Sequence, residues 1–191
     1  GQNVNAYNFE GISFSSLIYS LAEINEIKRI RFMTSHPRDM TDELITAFGD
    51  IPQLMPFLHL PVQSGSNRIL KSMNRGHIVE EYVEIVNKLR SVRSDICFSS
   101  DFIVGYPGET DKDFQETIDL CEQVEFAQAY SFNYSSRPGT PASRKEELDE
   151  NLKKTRLHIL QDLLNKQQTT FLKEQKNTKH RVLFEKVGRG I

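Results

Sequence analysis

Polar turns follow four predicted strands, and their residues are the ones in this sequence best suited to bind a ligand. The strands are predicted at residues 30–35, 57–62, 96–104 and 129–134, and each leads into a segment rich in Gly, Pro, Ser or Thr. In parallel α/β folds the carboxyl ends of the strands share one face, where active sites are built. Packing alone does not require four such turns on one face, so they predict a ligand site.

Three side chains near these turns suit a ligand with hydroxyl groups and a carboxylate. Gln63 offers both a donor and an acceptor, as a ribose diol requires. Asp101 lies inside an apolar run, where an unpaired carboxylate is costly, so it needs a cation, backbone amides, ligand hydroxyls or a satisfied core network. Arg75 follows a short predicted helix and could turn back over the strand ends to clamp a carboxylate, although spacing alone equally allows a surface arginine.

The remaining turn residues give weaker signals. Gly105 and Gly108 permit close backbone approach to a flat ligand, but they lack the spacing of a dinucleotide fingerprint. Arg137 could contact a phosphate or a base, or could be an ordinary loop charge. His59 is predicted to pack inside its strand rather than to act as a base. The five histidines form no Ser/His/Asp set and no metal-ligand pair that their spacing supports.

Helical patterns alternate with the predicted strands. Apolar residues recur at helical spacing near residues 14–24, 82–92 and 150–176, and a short helix is expected near residues 69–73. Thr41 should cap a helix that has acidic residues in its first turn, and Thr110 with Asp113 resembles a capping box. This alternation predicts an α/β fold with a parallel sheet, either a barrel or an open sheet.

The charge distribution and the cysteines indicate which partners and which compartment the chain suits. Net charge is −2, yet residues 150–191 carry ten Lys and Arg against four Asp and Glu. This basic segment, including Lys153, Lys154 and Lys176, suggests a polyanionic partner such as RNA, although a solvated helix face is the simpler explanation of the charge alone. The two cysteines, Cys97 and Cys121, have no disulfide or metal spacing and are expected to be buried thiols in a reducing cytoplasm.

The chain is expected to be part of a longer, cytoplasmic protein. Its 191 residues begin at Gly1 and include no apolar run that approaches a membrane span, which takes roughly 18 residues or more. No basic-then-apolar signal peptide opens the sequence. The length suits one domain and the start of a second.

Taken together, the motifs resemble those of the radical SAM methylthiotransferases, a family that uses S-adenosylmethionine (SAM). The resemblance extends over nearly the whole chain, and the Gly-Gln-Asn-Val-Asn opening with Arg137 is most similar to the branch that modifies isopentenyladenosine in tRNA. The matching segments are residues 1–7, 34–37, 59–66, 74–77, 100–110 and 134–142.

The resemblance implies a fold and a set of binding residues. The fold would be a partial, open β/α TIM-like barrel of the radical SAM type, truncated at its N-terminus and occupying residues 1–176. Residues 177–191 would be a linker and the first strand, near residues 180–187, of a TRAM-like RNA-binding domain. SAM would be bound by Gln63, Ser64, Arg75 and Asp101. The substrate adenosine would be bound by Asn3 and Arg137.

The resemblance also implies an activity for the parent protein. That protein would insert a methylthio group at C2 of N6-isopentenyladenosine beside the tRNA anticodon, using SAM, two [4Fe–4S] clusters and an electron donor, with the anticodon stem-loop as its partner. Because Cys97 and Cys121 match none of the cluster ligands, this chain alone is expected to hold no cluster or metal, to contain no catalytic residue and to be inactive. Methylthiolation of threonylcarbamoyladenosine in tRNA or of a ribosomal protein, and a cofactor-free RNA-binding module, are the alternatives.

Overall fold

The chain alternates strands and helices in the computed structural model, which describes residues 3–180 and 182–183. Three short 3-10 turns lie at Val4–Ala6, Pro37–Asp39 and Pro141–Arg144. The strands are β1 (Asn8–Phe9), β2 (Ile12–Ser13), β3 (Phe57–His59), β4 (Cys97–Val104) and β5 (Gln128–Asn133). The helices are α1 (Phe14–Ala22), α2 (Asp42–Asp50), α3 (Asn67–Ser72), α4 (Val79–Val92), α5 (Asp111–Val124) and α6 (Glu150–Glu174).

A parallel sheet in the order β3-β4-β5 lies at the centre, as the alternation predicts. Side chains alternate between the two faces of a strand, and on β4 the large apolar residues Phe98, Phe102 and Val104 are buried in the core that the helices cover. The opposite face carries Ser99 and Asp101. The sheet therefore has one apolar face under helices and one open face with polar groups.

The predicted strand at residues 30–35 does not form as a strand. Ile30 makes a single parallel bridge with Leu54, and further along the Thr34 carbonyl accepts a bond from the Val4 amide at 3.0 Å. The Ser35 hydroxyl donates to the His59 carbonyl. Scattered hydrogen bonds thus replace the regular ladder of a strand, although the segment still lies beside β3.

The β1–β2 hairpin is an element that periodicity did not reveal. Its two turn residues, Glu10 and Gly11, have φ of +50° and +82°. Two consecutive positive φ values suit the two-residue turns that match strand twist. Gly11 was the available signal, because glycine adopts this conformation without steric cost.

The predicted helix starts are confirmed. The Thr41 hydroxyl accepts from the Leu44 amide at 3.2 Å and begins α2, while Thr110 and Asp113 form the reciprocal capping box of α5. These caps satisfy amides that have no partner inside the helix. Both helices bury one apolar stripe in the hydrophobic core, with the members Leu44, Ile45, Phe48, Phe114, Leu120, Cys121 and Val124.

Helix α6 is tied to the end of α5 and to the loop before β5. The Gln167 side chain donates to the Cys121 carbonyl at 2.7 Å and accepts from the Phe126 amide at 3.1 Å. Leu160 and Leu164 are the buried apolar residues of the helix. Hydrogen bonds and apolar packing therefore both hold this long helix, whose surface is mostly exposed, against the rest of the fold.

A buried ion pair joins α6 to the turn after β4. Arg156 donates to the Glu109 carboxylate at 2.7 Å and to the Asp111 carboxylate at 2.6 Å. Glu109 also accepts from the Gly105 amide at 3.0 Å. Burial raises the pKa of Glu109, and the bonds from Gly105 and Arg156 oppose that rise. The ion pair therefore fixes the glycine-containing turn that follows β4, at the carboxyl end of the sheet.

Lys153 does not belong to an RNA-facing surface, contrary to expectation. Its side chain is 3% exposed and pairs with Glu147 at 2.8 Å and with Glu150. A Cβ atom at Gly105 would overlap its aliphatic stem, so this position requires glycine. The basic character of the segment is thus partly neutralised inside the fold, whereas Lys154 and Lys176 are exposed.

The predicted TRAM-like strand lies largely outside the described residues. Among the helices of residues 3–180, none is both long enough and apolar enough to cross a membrane.

We expect Arg156→Met to lower the free energy of unfolding by about 3–5 kcal/mol, because it leaves the Glu109 carboxylate buried without its partner. Lys154→Met, on the exposed side of the same helix, should change it by less than about 0.5 kcal/mol. Urea denaturation monitored by circular dichroism measures both. Equal effects of the two substitutions would show that the ion pair does not stabilise the fold.

Candidate functional site

The backbone bulges at the end of β3, directly before the first predicted ligand residue. His59 pairs with Ser99, whereas Gln63 pairs with Phe102. The β3 side therefore spans four positions where β4 spans three. An extra residue in one strand bends it and re-aims the side chains that follow, and Pro61, which has no N–H to donate, lies within the bulge.

Side-chain bonds and strain replace regular pairing in this bulge. The Ser100 hydroxyl accepts from the Val62 amide at 3.0 Å. Gln63 has a φ of +80°, a conformation that costs a residue other than glycine about 1–2 kcal/mol. Its backbone is nonetheless held by bonds to the Asp101 carbonyl at 3.0 Å and from the Ile103 amide at 2.9 Å. Such strain clusters at functional sites.

Asp101 has a partner within the sheet. Its carboxylate lies 3.5 Å from His59 Nε2, and His59 Nδ1 bonds to the Ser99 hydroxyl at 2.8 Å. The Asp101 side chain is still 29% exposed, which leaves acceptor capacity on the open face. His59 is buried, as expected for an interior residue, but the sequence did not reveal that it partners Asp101.

The Arg75 guanidinium lies over the end of the strand. Its Nη2 donates to the Pro61 carbonyl at 2.9 Å, whereas its Nε is buried without a partner among the described residues. Burial lowers the pKa of Arg75 and the nearby Asp101 opposes that shift. A buried, unpaired N–H on a cation is costly, so a bound anion would complete this group.

Two histidines that the sequence did not single out border Arg75. The rings of His36 and His77 meet edge to face, 5.5 Å between centroids. Burial, and then the charges of Arg75, His77 and Arg38, lower the pKa of His36 to about 4 against a weak opposing effect of Asp39. Both lie in motifs that the resemblance already included, but nothing in their spacing indicated a shared environment.

His36 presents a neutral ring of defined tautomer. Its Nδ1 accepts from the Arg38 amide at 3.1 Å, so the proton of the neutral ring resides on Nε2. Burial also lowers the pKa of His77, whose Nε2 has no partner in the part of the chain that the structure describes. Near neutral pH, Arg75 is therefore flanked by uncharged rings.

Asn3 lies beside this group, at the start of the described residues. Its Nδ2 donates to Asp39 at 2.6 Å, and its Oδ1 is buried without a partner among residues 3–180. Asn5 holds the same segment to the rim, by which we mean the edge of the sheet at the carboxyl ends of its strands. It does so through two hydrogen bonds to the His36 backbone, each 2.9 Å long. The predicted contact of Asn3 with the substrate stays a prediction.

Ser64 and Arg137 differ from the other predicted residues in their surroundings. The Ser64 hydroxyl is buried in its turn, where it accepts from the Ser66 amide at 3.1 Å. Arg137 is exposed, and its carbonyl accepts from Thr140. Its guanidinium makes no hydrogen bond or ion pair within residues 3–180. The structure thus brings Gln63, Arg75 and Asp101 to one rim and leaves Arg137 on the loop after β5.

The cysteines are separate from this rim. Cys121 is fully buried on α5 and burial raises the pKa of its thiol, while Cys97 begins β4, at the opposite end from the rim. The described residues contain no group of three His, Cys, Asp or Glu side chains placed to hold a metal ion. They therefore do not fit an iron–sulfur cluster, which thiolates hold.

Comparison with known proteins identifies the family of the chain. A family model described as the Radical SAM superfamily matches residues 9–121. The chain belongs to the radical SAM superfamily.

Closer relatives carry one shared name. The chain is 53% identical, over 99% of its length, to a tRNA-2-methylthio-N(6)-dimethylallyladenosine synthase from Rickettsia akari and to one from Bartonella tribocorum. It spans 44% and 43% of their lengths.

Solved structures share the fold. Coproporphyrinogen III oxidase from Escherichia coli matches with a TM-score of 0.58 and 19% identity, over 70% of this chain and 31% of that one. An N-terminally deleted Elp3 from Methanocaldococcus infernus matches with a TM-score of 0.52 and 16% identity, over 81% and 37%. The partial-barrel fold expected from the resemblance is consistent with both.

We expect Gln63→Gly to raise the free energy of unfolding by about 1 kcal/mol, because glycine adopts the positive φ without strain. Gln63→Ala removes the same amide but keeps the Cβ atom, so it should give no such gain. Thermal and urea unfolding of the two variants checks this. Equal stability of the two variants would show that the bulge is not strained.

Stability should fall as the pH decreases from 6.5 to about 4, because the unfolded chain protonates His36 near its ordinary pKa of 6.5 and the folded protein only near 4. His36→Gln should reduce this slope by about one proton. Urea titrations at a series of pH values measure the slope. His158→Gln, on the exposed side of α6, is the control, and a slope that His36→Gln leaves unchanged would contradict the assignment.

Proposed function

We propose that this chain supplies the SAM-binding and tRNA-facing part of a methylthiotransferase. The whole protein would add a methylthio group at C2 of N6-isopentenyladenosine beside the anticodon, in the cytoplasm, with an external electron donor. The proposal rests on one observation above all: the Arg75 cation with an unpaired buried N–H and the partly exposed Asp101 carboxylate share the rim of the sheet.

The rim chemistry matches SAM. The Asp101 carboxylate accepts hydrogen bonds and suits the ribose hydroxyls, and the amide of Gln63 can add a donor and an acceptor. Arg75 suits the carboxylate of the methionine part, since guanidinium–carboxylate bonds are charge-assisted. The neutral rings of His36 and His77 add no competing cation beside Arg75. Ser64 has a buried hydroxyl, so its expected contribution remains the least supported of the four.

The clusters need ligands from outside the described residues. An iron–sulfur cluster, when bound, supplies the electron that such enzymes need to cleave SAM. We propose that sequence beyond this chain provides the thiolates, which agrees with the chain spanning less than half of its relatives' length. This chain alone is accordingly expected to be inactive.

The tRNA substrate is proposed from the relatives and from Arg137. Relatives at 53% identity are named as tRNA-modifying synthases, and Arg137 offers an exposed cation after β5. A cofactor-free RNA-binding module receives less support, because Lys153 and Arg156 of the basic segment are buried in ion pairs.

The test is complementation. The full-length gene should restore 2-methylthio-N6-isopentenyladenosine to tRNA in a bacterial strain that lacks this modification, as measured by mass spectrometry of digested tRNA. Asp101→Asn and Arg75→Met should each lower its formation roughly tenfold or more, because each removes a charge-assisted bond of about 1.5–3 kcal/mol.

Lys112→Met is the matched control, since this side chain is 87% exposed on α5 and pairs, among the described residues, only with Glu116 of the same helix. Methylthiolated threonylcarbamoyladenosine, or no change in any tRNA nucleoside, would reject the proposed substrate.

A further inference from the structure

Strand β5 exposes two aromatic side chains on the open face of the sheet. Tyr130 is 50% exposed and Phe132 is 55% exposed, although the adjacent strand buries its own aromatic residues. Residues in register on parallel strands point to the same face, and Tyr130 pairs with Asp101 while Phe132 pairs with Ile103. The two rings therefore border the candidate SAM site on the side away from β3.

The aromatic pair is partly preorganised. The Gln128 side chain donates to the Tyr130 hydroxyl at 2.7 Å, which orients that ring along the strand. Phe132 lies two residues further toward the rim, on a strand of regular pairing from Gln128 to Asn133. Side chains on a rigid strand form a more defined surface than side chains on a loop.

The rim end of this strand adds a cation and an unsatisfied hydroxyl. Arg137 follows on an exposed loop that Thr140 closes through two bonds to the Arg137 carbonyl, 2.8 and 3.2 Å long. Tyr134 has a buried hydroxyl without a partner among the described residues. Flat apolar rings thus lead toward polar and positively charged groups.

We propose that Tyr130 and Phe132 form a stacking platform for an unpaired purine base of an RNA loop, with Arg137 contacting its phosphate. This inference rests on the proposed function and extends it to residues outside the expected site. Aromatic side chains on a sheet are a recurrent means of binding splayed-out bases. The polar side chains of Gln128 and Asp101 lie beside Tyr130, and the exposed Arg137 cation follows on the loop after the strand. This combination suits a nucleotide, which has a flat face and a negative charge.

The chain contains no tryptophan, so Phe132→Trp places a single indole reporter on the platform. The probe is an anticodon stem-loop RNA with an unmodified adenosine directly 3′ of the anticodon. Titration of the full chain carrying this substitution should quench the indole emission to saturation, because a stacked base quenches it. The same RNA annealed to its complement should not, since its bases are paired.

Leu172→Trp is the control reporter, because Leu172 is 57% exposed on α6, away from the sheet. Quenching in Phe132→Trp alone supports the platform. No quenching, or equal quenching of the two reporters, would overturn it. A blue shift that grows with protein concentration in the absence of RNA would also overturn it, because a second copy of the chain would then cover the rings.

An affinity measurement makes the test independent of the reporter. Phe132→Ala, with its fold verified by circular dichroism, should weaken binding of the same labelled hairpin roughly tenfold, about 1.4 kcal/mol. Unchanged affinity would contradict the inference. If complementation restores the modified nucleoside while neither quenching in Phe132→Trp nor weaker binding in Phe132→Ala is observed, stacking fails and the proposed function stands.

Discussion

The ion pair between Glu109 and Arg156 is the constraint on which the arrangement depends. It buries two opposite charges between the turn after β4 and the second turn of α6, and the same carboxylate accepts a hydrogen bond from the Gly105 amide. Burying a charge is costly unless it is paired and hydrogen-bonded. The turn and the helix therefore occupy one relative position, and the end of β4, three residues beyond Asp101, is fixed with them.

Beside this fixed strand, the residues of the rim do not follow the regular geometry of a sheet. A bulge precedes Gln63, hydroxyl groups of Ser35 and Ser100 replace ladder bonds, and Arg75 keeps one N–H unpaired among the described residues. Each departure costs stability locally, and the regular core of the sheet offsets it. A rim that was satisfied everywhere by its own bonds would have no remaining affinity for a ligand.

The sequence predicted the parts of the molecule that local rules determine. The caps at Thr41 and Thr110 and the buried run of β4 follow from short-range chemistry, and the structure confirms them. It did not predict that Lys153 would be buried, because its carboxylate partners include one from a preceding loop whose path is set by packing. Likewise, the pairing of His59 with Asp101 depends on strand register, which no single segment encodes.

The open face of the sheet has a consequence for the shape of a molecule that could approach it within the part of the chain that the structure describes. Strand β5 has a neighbour on one side only among the described residues, so the face beside Asp101 is not enclosed as it would be in a closed barrel. A closed barrel admits only what passes through its mouth. A trough that is open along one flank instead admits one residue of a polymer sideways, while the rest of the polymer stays outside.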